Sequence, residues 1–392
     1  FRGGKGILPV NQSKNKNPLF SAFINASVEA GYKKNKDMNG EDQEGFGMYD
    51  ITIHKGQRAS ASKYYLEPAK KRKNLKVFTN SFAERIIFEG KKAVGIEVNI
   101  KNKVTKVYAN KEVVLSGGSI NSPQLLMLSG VGPEKDLKDK GINVVHSLEG
   151  VGQNLQDHLE TYIQQECKTK DTLYSYVNKI NMLKIGIQWF LSKSGPCSTS
   201  FLEAGGFCKS SEDKSYPNIQ FHFFPAFVID HGLVDPDRHG YQLHASLNQP
   251  KSRGHIKLNS SNPYDYPKIQ FNYLEDEYDL KETIKCVRVA RKILGQNSMK
   301  PYAGKEIGPG ESATDDEQIT EYIRSKAETA YHPSCTLKMG VDKMAVVDEK
   351  LKVHGLENLR VADASVMPEI TSGNLNAPTL MIGERAADFI LN

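Results

Sequence analysis

Residues 111–128 constrain the fold more tightly than any other stretch of the chain. The run from Lys111 carries three consecutive apolar residues, Val113, Val114 and Leu115, then Ser116-Gly117-Gly118, and passes directly into Ser119 to Leu128. A buried strand, a Gly-rich turn and a helix in that order form an α/β element whose helix N-terminus faces a ligand. Gly117 and Gly118 let a bound group come close, because glycine has no Cβ, and Ser122 stands at the helix start. The chain's end repeats the pattern, with Leu359 to Asp363 reading as strand and Ala377 to Ile390 as helix. The chain therefore leaves one α/β part and returns to it.

Between these ends the periodicity changes. Pro18 to Gly31 reads as helix, and Leu75–Thr79, Arg85–Phe88, Ala93–Ile100 and Lys106–Tyr108 read as strands of a meander with turns at Gly90 and Asn102. Ile219–Phe224, Tyr241–Leu247 and His255–Leu258 read as an aromatic-rich antiparallel sheet. The following helix sets Leu280, Ile284, Val287 and Leu294 on one face and turns Lys281, Lys285, Arg288 and Lys292 outward.

Composition narrows the function classes. The excess of six positive charges is scattered in clusters such as Lys70-Lys71-Arg72-Lys73 and forms no stripe interleaved with aromatics, which points away from nucleic acid. No apolar run approaches the roughly 20 residues that span a bilayer. Five cysteines, Cys167, Cys197, Cys208, Cys286 and Cys335, are odd in number and lack a C-x-x-C pair, so neither a disulfide framework nor a zinc site is signalled and a reducing compartment is the simplest setting. His222, His231, His239 and His244 follow no metal-ligand spacing, and no G-x-S-x-G elbow for a serine hydrolase is present. Cys335 reads as packing.

Four sequence blocks carry a resemblance. Gly118-Ser-Ile-Asn-Ser-Pro-Gln-Leu-Leu-Met-Leu-Ser-Gly-Val-Gly132 matches the second signature of the glucose-methanol-choline family of flavin-dependent alcohol oxidoreductases at every defining position. Val151 to His158, Tyr331 to Thr336 and Ser372 to Thr379 resemble the family's later blocks, in order. Ile219–Pro225, Val228–Gly232 and Ala327–Cys335 resemble its choline-oxidising branch, the animal form in particular. The family opens with a strand, a G-x-G-x-x-G turn and a helix that hold the FAD pyrophosphate; Gly3-Gly4-Lys5-Gly6 lacks that spacing and a preceding strand. Together with a first residue that is not Met, this reads as a fragment whose N-terminus lies upstream and whose FAD site is incomplete.

The resemblance implies an α/β (α+β) fold, with a discontinuous FAD-binding domain over 1–160 and 340–392. A substrate domain over 161–339 would be an antiparallel sheet covered by helices. It implies oxidation of choline to betaine aldehyde, with oxygen or a membrane quinone as electron acceptor, in a mitochondrial setting peripheral to the inner membrane. The alternatives are another alcohol oxidoreductase of the family, acting on aliphatic alcohols or sugars, and a catalytically inactive fragment.

Removing hydride from an alcohol carbon needs a base for the hydroxyl proton and a group to hold the oxygen. By resemblance His332 is the base and Asn376, at the head of the final helix, the oxygen holder. A trimethylammonium needs a carboxylate within aromatic walls, and Phe201-Leu-Glu-Ala-Gly-Gly-Phe207 offers such a set, with Glu203 aligned to the branch's ammonium-facing carboxylate. Tyr331, like Phe223 and Phe224, is a weaker wall candidate. Toward FAD the resemblance assigns Gly117, Gly118 and Ser122, then Asp363 and Ala364 near the pyrophosphate or ribityl chain, and Pro378 and Thr379 near the ring. Ala83 takes the place where relatives often have a valine whose backbone meets the adenine.

Overall fold

The computed structural model describes residues 3–229, 233, 234 and 236–392. Asp230, His231 and Gly232, part of one resembling segment, lie outside the described residues. The chain forms two compact units, each assembled from three separate segments.

The first unit comprises Phe1–Leu75, Leu159–Asn248 and Leu280–Glu328. Its centre is an antiparallel sheet with strands in the order Ala303–Gly308, Leu159–Cys167, Gly240–Leu247, Ile219–Phe224, Ala204–Cys208, Gly45–Met48. Alternation decides what each face buries. Phe221 and Phe223 point inward, and the Pro18–Glu29 helix closes over them, with Phe23 stacked on Phe223 at 4.9 Å between ring centroids. Phe223 is thus a core residue. The Glu277–Leu294 helix buries Ile284, Val287 and Leu294 and exposes Lys281, Arg288 and Lys292, as its 3.6-residue period requires.

The second unit comprises Lys76–His158, Gln249–Asp279 and Thr329–Asn392. Val113–Leu115 pairs in parallel with Leu359–Val361, so the early and late α/β elements meet across more than 240 residues of sequence, Val114 opposite Arg360. Leu115, Leu126, Met127, Val361, Val366 and Ile382 share one core. The meander forms from Ser81–Glu89, Lys92–Ile100 and Lys103–Tyr108, with its turns at Gly90 (φ +61°) and Asn102 (φ +66°) in the left-handed region.

Three local expectations change. Leu75–Thr79 forms no strand; Leu75, Val77 and Phe78 remain exposed, and β-propensity without a half-buried sheet surface does not hold a strand. His255–Lys257 pairs with Lys268–Gln270 in a separate two-stranded ribbon, apart from the aromatic sheet. Residues 1–75 join the sheet unit through Gly45–Met48, whereas the sequence reads them with the α/β part.

Candidate active site around His332

His332 and its partners His158, Asp157 and Asn374 all belong to the second unit. The chain on either side of it is pinned to residues 156–158: Ala330 N–H donates to the His158 carbonyl at 2.8 Å, and Ser334 N–H to that of Gln156 at 2.9 Å. Between those anchors Tyr331 sits at φ +60° and turns its side chain out, 71% exposed. The His332 N–H donates to Asp157 Oδ1 at 2.8 Å. Asp157 Oδ2 accepts from the hydroxyls of Tyr273 and Thr329. Burial pushes the Asp157 carboxyl above its ordinary range, while these three donors pull the other way.

Both nitrogens of the His332 ring are engaged. Nε2 lies 3.3 Å from Asn374 Nδ2, and Nδ1 lies 2.9 Å from Nδ1 of the fully buried His158, the rings edge to face at 87°. An amide NH2 can only donate, so His332 Nε2 accepts from Asn374. In the neutral pair the proton of His332 is then on Nδ1, which donates to His158 Nδ1, and His158 carries its own proton on Nε2. The lone pair of the neutral imidazole is then at Nε2, where the Asn374 amide occupies it, and a substrate hydroxyl taking that place would meet a general base.

Asn376 stands at the first turn of the Asn376–Leu391 helix, exposed, and among the described residues no hydrogen bond joins it to His332. Asn374, two residues earlier in the same Asn-Leu-Asn segment, is the asparagine at the ring. Cys335 is buried, its thiol pushed up to about 12 by that burial, with Sγ donating to Ser334 Oγ, which fits packing.

The Gly-rich turn is tied to the late strand by Asp363. Its Oδ2 accepts from Gly118 N–H at 2.9 Å and from Ser122 Oγ at 2.6 Å, and Oδ1 accepts from Ser365. Ser122 Oγ in turn accepts from Gly117 N–H at 2.9 Å. Asp363 and Ser122 therefore spend their polar atoms on holding the turn. Gly118, at φ +80°, has nothing within 4 Å of where a Cβ would sit, and Ser119 Oγ is buried with no hydrogen-bond partner among the described residues. An open glycine cradle beside an unsatisfied buried hydroxyl suits a polar ligand group. Ala364 begins the short helical turn after Asp363. Thr379 Oγ1 donates to the Leu375 carbonyl at 2.7 Å and Pro378 lies in the same first turn of the last helix. Ala83 lies on the outer strand of the meander, next to a bulge between Ala83 and Arg85.

Glu203 belongs to the first unit and is buried there. Its Oε1 accepts from Asn15 Nδ2 at 2.7 Å and from Thr199 Oγ1, and its carbonyl accepts from Tyr49 N–H at 2.8 Å. Phe207 is buried edge-on to Tyr49, with 6.2 Å between ring centroids, and Phe201 takes φ +64°. The described residues hold no group of three or more His, Cys, Asp or Glu side chains arranged for a metal ion.

Sequence reading missed His158, Asp157 and Asn374. Signals for them existed: Asp157 and His158 end the block that begins at Val151, and Asn374 shares a motif with Asn376.

Comparison with known proteins shows the family and the fold. Two models described as GMC oxidoreductase match residues 4–160 and 250–383. The chain is 50% identical over 392 residues to the mitochondrial choline dehydrogenase of Homo sapiens, covering 100% of this chain and 66% of that protein. It is 48% identical to the oxygen-dependent choline dehydrogenase of Staphylococcus saprophyticus, covering 100% of this chain and 70% of the relative. Among solved structures, an FAD-dependent oxidoreductase from Chaetomium thermophilum superposes with a TM-score of 0.88 at 26% identity, covering 99% of this chain and 74% of that one. The chain thus spans 66% of the length of the human relative.

Proposed function

The chain belongs to the GMC oxidoreductase family, and from that membership and the geometry around His332 we propose that it is the larger part of an FAD-dependent enzyme that oxidises choline to betaine aldehyde. The observation that carries the reading is the engaged His332 ring, with Nδ1 hydrogen-bonded to His158 and Nε2 facing an amide donor. His332 Nε2 takes the substrate's hydroxyl proton. The substrate hydroxyl takes the place of the Asn374 amide at that lone pair, and the amide donates instead to the substrate oxygen and steadies the developing alkoxide; it takes the role that the motif first gives to Asn376.

Bound FAD supplies the acceptor for the hydride of the alcohol carbon. Gly117, Gly118 and Ser119 would face it, because the cradle at Gly118 is open and the Ser119 hydroxyl lacks a partner. Ser122 and Asp363 shape that turn, and Ala364, Pro378, Thr379 and Ala83 complete the cofactor assignment by family resemblance. Glu203 supplies the charge for the trimethylammonium, with Phe201, Phe207 and Tyr331 as the aromatic candidates. By its names, the 50% identical human relative supports choline as substrate and a mitochondrial address. We place the enzyme peripherally on the inner membrane, with oxygen or a membrane quinone as electron acceptor.

The test is choline oxidation by purified, flavin-bearing enzyme, followed with an artificial acceptor and compared with 3,3-dimethylbutanol, the uncharged isostere. Saturable choline turnover with a large preference over the isostere is the expected result. Equal turnover of both would replace choline with a general alcohol.

A further inference from the structure

The Lys179–Ser192 helix is well formed at both ends. The Asn178 side chain accepts from Asn181 N–H at 2.9 Å, and Lys193 ends it in the left-handed conformation at φ +52°. One face is attached to the first unit: Trp189 Nε1 donates to the Gly56 carbonyl at 2.7 Å, Asn181 Nδ2 donates to the Ser175 carbonyl at 2.8 Å, and Ile185 is half-buried one turn from Trp189. A surface helix normally turns its apolar stripe inward. This one carries a second stripe outward.

Ile180, Leu183, Ile187, Phe190 and Leu191 follow helical spacing and are 68%, 65%, 50%, 74% and 77% exposed, and no residue of the helix is buried. At 100° per residue, Lys179 and Lys184 fall on the two sides of this stripe. Lys193 follows the last turn with its Nζ 3.8 Å from the Trp189 ring centroid. From Lys179 to Lys193 there is no Asp or Glu.

We propose that this helix lies flat on an anionic phospholipid surface, with the five apolar side chains among the acyl chains and the lysines at the headgroups. An outward apolar stripe, a basic rim and ring side chains at one end are the features of an interfacial helix, whose long lysine stems let charge reach the headgroups. The helix is too short to span a bilayer, and no helix among the described residues does so. A second copy of the chain fits less well. Five side chains fall short of the roughly 20–30 residues a side that a stable interface uses, and pairing two identical helices would bring like-charged lysine rims together. The proposal deepens the peripheral placement proposed above and rests on it. Its test reads lipid binding without turnover, so docking can fail while choline oxidation stands, and the converse.

The experiment is flotation of the purified protein with vesicles of phosphatidylcholine alone, or with about a third phosphatidylglycerol. The variants are Leu183→Asp with Phe190→Asp, and Lys179→Glu with Lys184→Glu. These side chains are exposed, so melting temperatures should stay near that of the parent. The parent should float with anionic vesicles, the apolar variant should lose about tenfold or more of its partitioning, and the charge-reversed variant should lose the preference for anionic lipid. A parent that fails to float, or an apolar variant that floats as well as the parent, overturns the proposal. It is overturned too if the parent self-associates through this face without binding lipid. Protection of a Phe190→Cys thiol from labelling in lipid-free monomer would assign the stripe to another segment of the same protein, again overturning it.

Discussion

The Nδ1 atoms of His158 and His332 lie 2.9 Å apart, and only one proton can sit between them when both rings are neutral. Because the Asn374 amide donates to the far nitrogen of His332, that shared proton belongs to His332, and His158 is the acceptor that holds it there. In the proposed mechanism His158 is a positioning residue: it selects the tautomer in which His332 Nε2 is basic.

Replacing that acceptor has a specific expected outcome. His158→Leu removes it, and kcat for choline should fall by about ten- to a hundredfold with KM moving much less, the size of effect seen when an orienting partner is lost. His158→Asn, whose Oδ1 can accept near the same place, should recover most of the loss. Equal damage by both variants would mean that the buried ring only fills space.

The base and the oxygen holder are tested together. His332→Ala should cut turnover at least about a hundredfold, the lower end of what a positioned base contributes. Asn374→Ala should cost more than Asn376→Ala, since Asn374 faces the His332 ring and Asn376 makes no hydrogen bond with it. The reverse order of the two asparagine variants would return the role to Asn376.

These residues also mark how far the sequence could be read. The strand-glycine-helix element at 111–128 was legible because apolar runs and glycines are local signals, and the chain's return to that part near its end followed from the same pattern appearing twice, while the pairing of the two strands themselves came from the structure. His332 was legible through its motif. Asn374 and Asn376 were not distinguishable, because two asparagines separated by one residue look alike until the helix start fixes which one turns toward the ring. His158 and Asp157 were invisible as site residues for another reason: their partners lie 174 and 175 positions away along the chain. Gly45–Met48 likewise reaches its sheet only through pairing with Ala204–Cys208, a contact no local period encodes.

Acid should destabilise the second unit through two histidines. Burial first, and then Lys91 for His146 and Lys257 for His255, holds these imidazoles below the usual 6.5. Their contribution is full above 6.5; as pH falls through that value the unfolded chain takes up protons that the folded chain does not, and stability is lost toward the lower folded values. Melting temperature should therefore drop as pH falls through 6.5, and His255→Gln should make the decline shallower. A variant whose melting curve shifts with pH just as the parent's does would remove His255 from the account.

Glu203 is the sharper test of substrate identity, because a base and an oxygen holder serve any alcohol whereas a buried carboxylate partner serves only a cation. The carboxylate is held in place by Asn15 and Thr199, both of which donate to Oε1. Glu203→Gln retains a carbonyl oxygen able to accept both bonds, so it removes the charge and keeps the shape. Coulomb attraction to a fixed ammonium about 4–6 Å away, at an effective dielectric between water and protein, is worth about 2–4 kcal/mol. At tenfold per 1.4 kcal/mol, kcat/KM for choline should fall by roughly 30-fold to several hundredfold, while 3,3-dimethylbutanol changes little. Equal losses for the two substrates, accompanied by a lower melting temperature, would make Glu203 a support for the Asn15 and Thr199 segments. Unchanged kinetics with both substrates would strip the choline assignment of its charged contact in this chain, and a general alcohol would take choline's place.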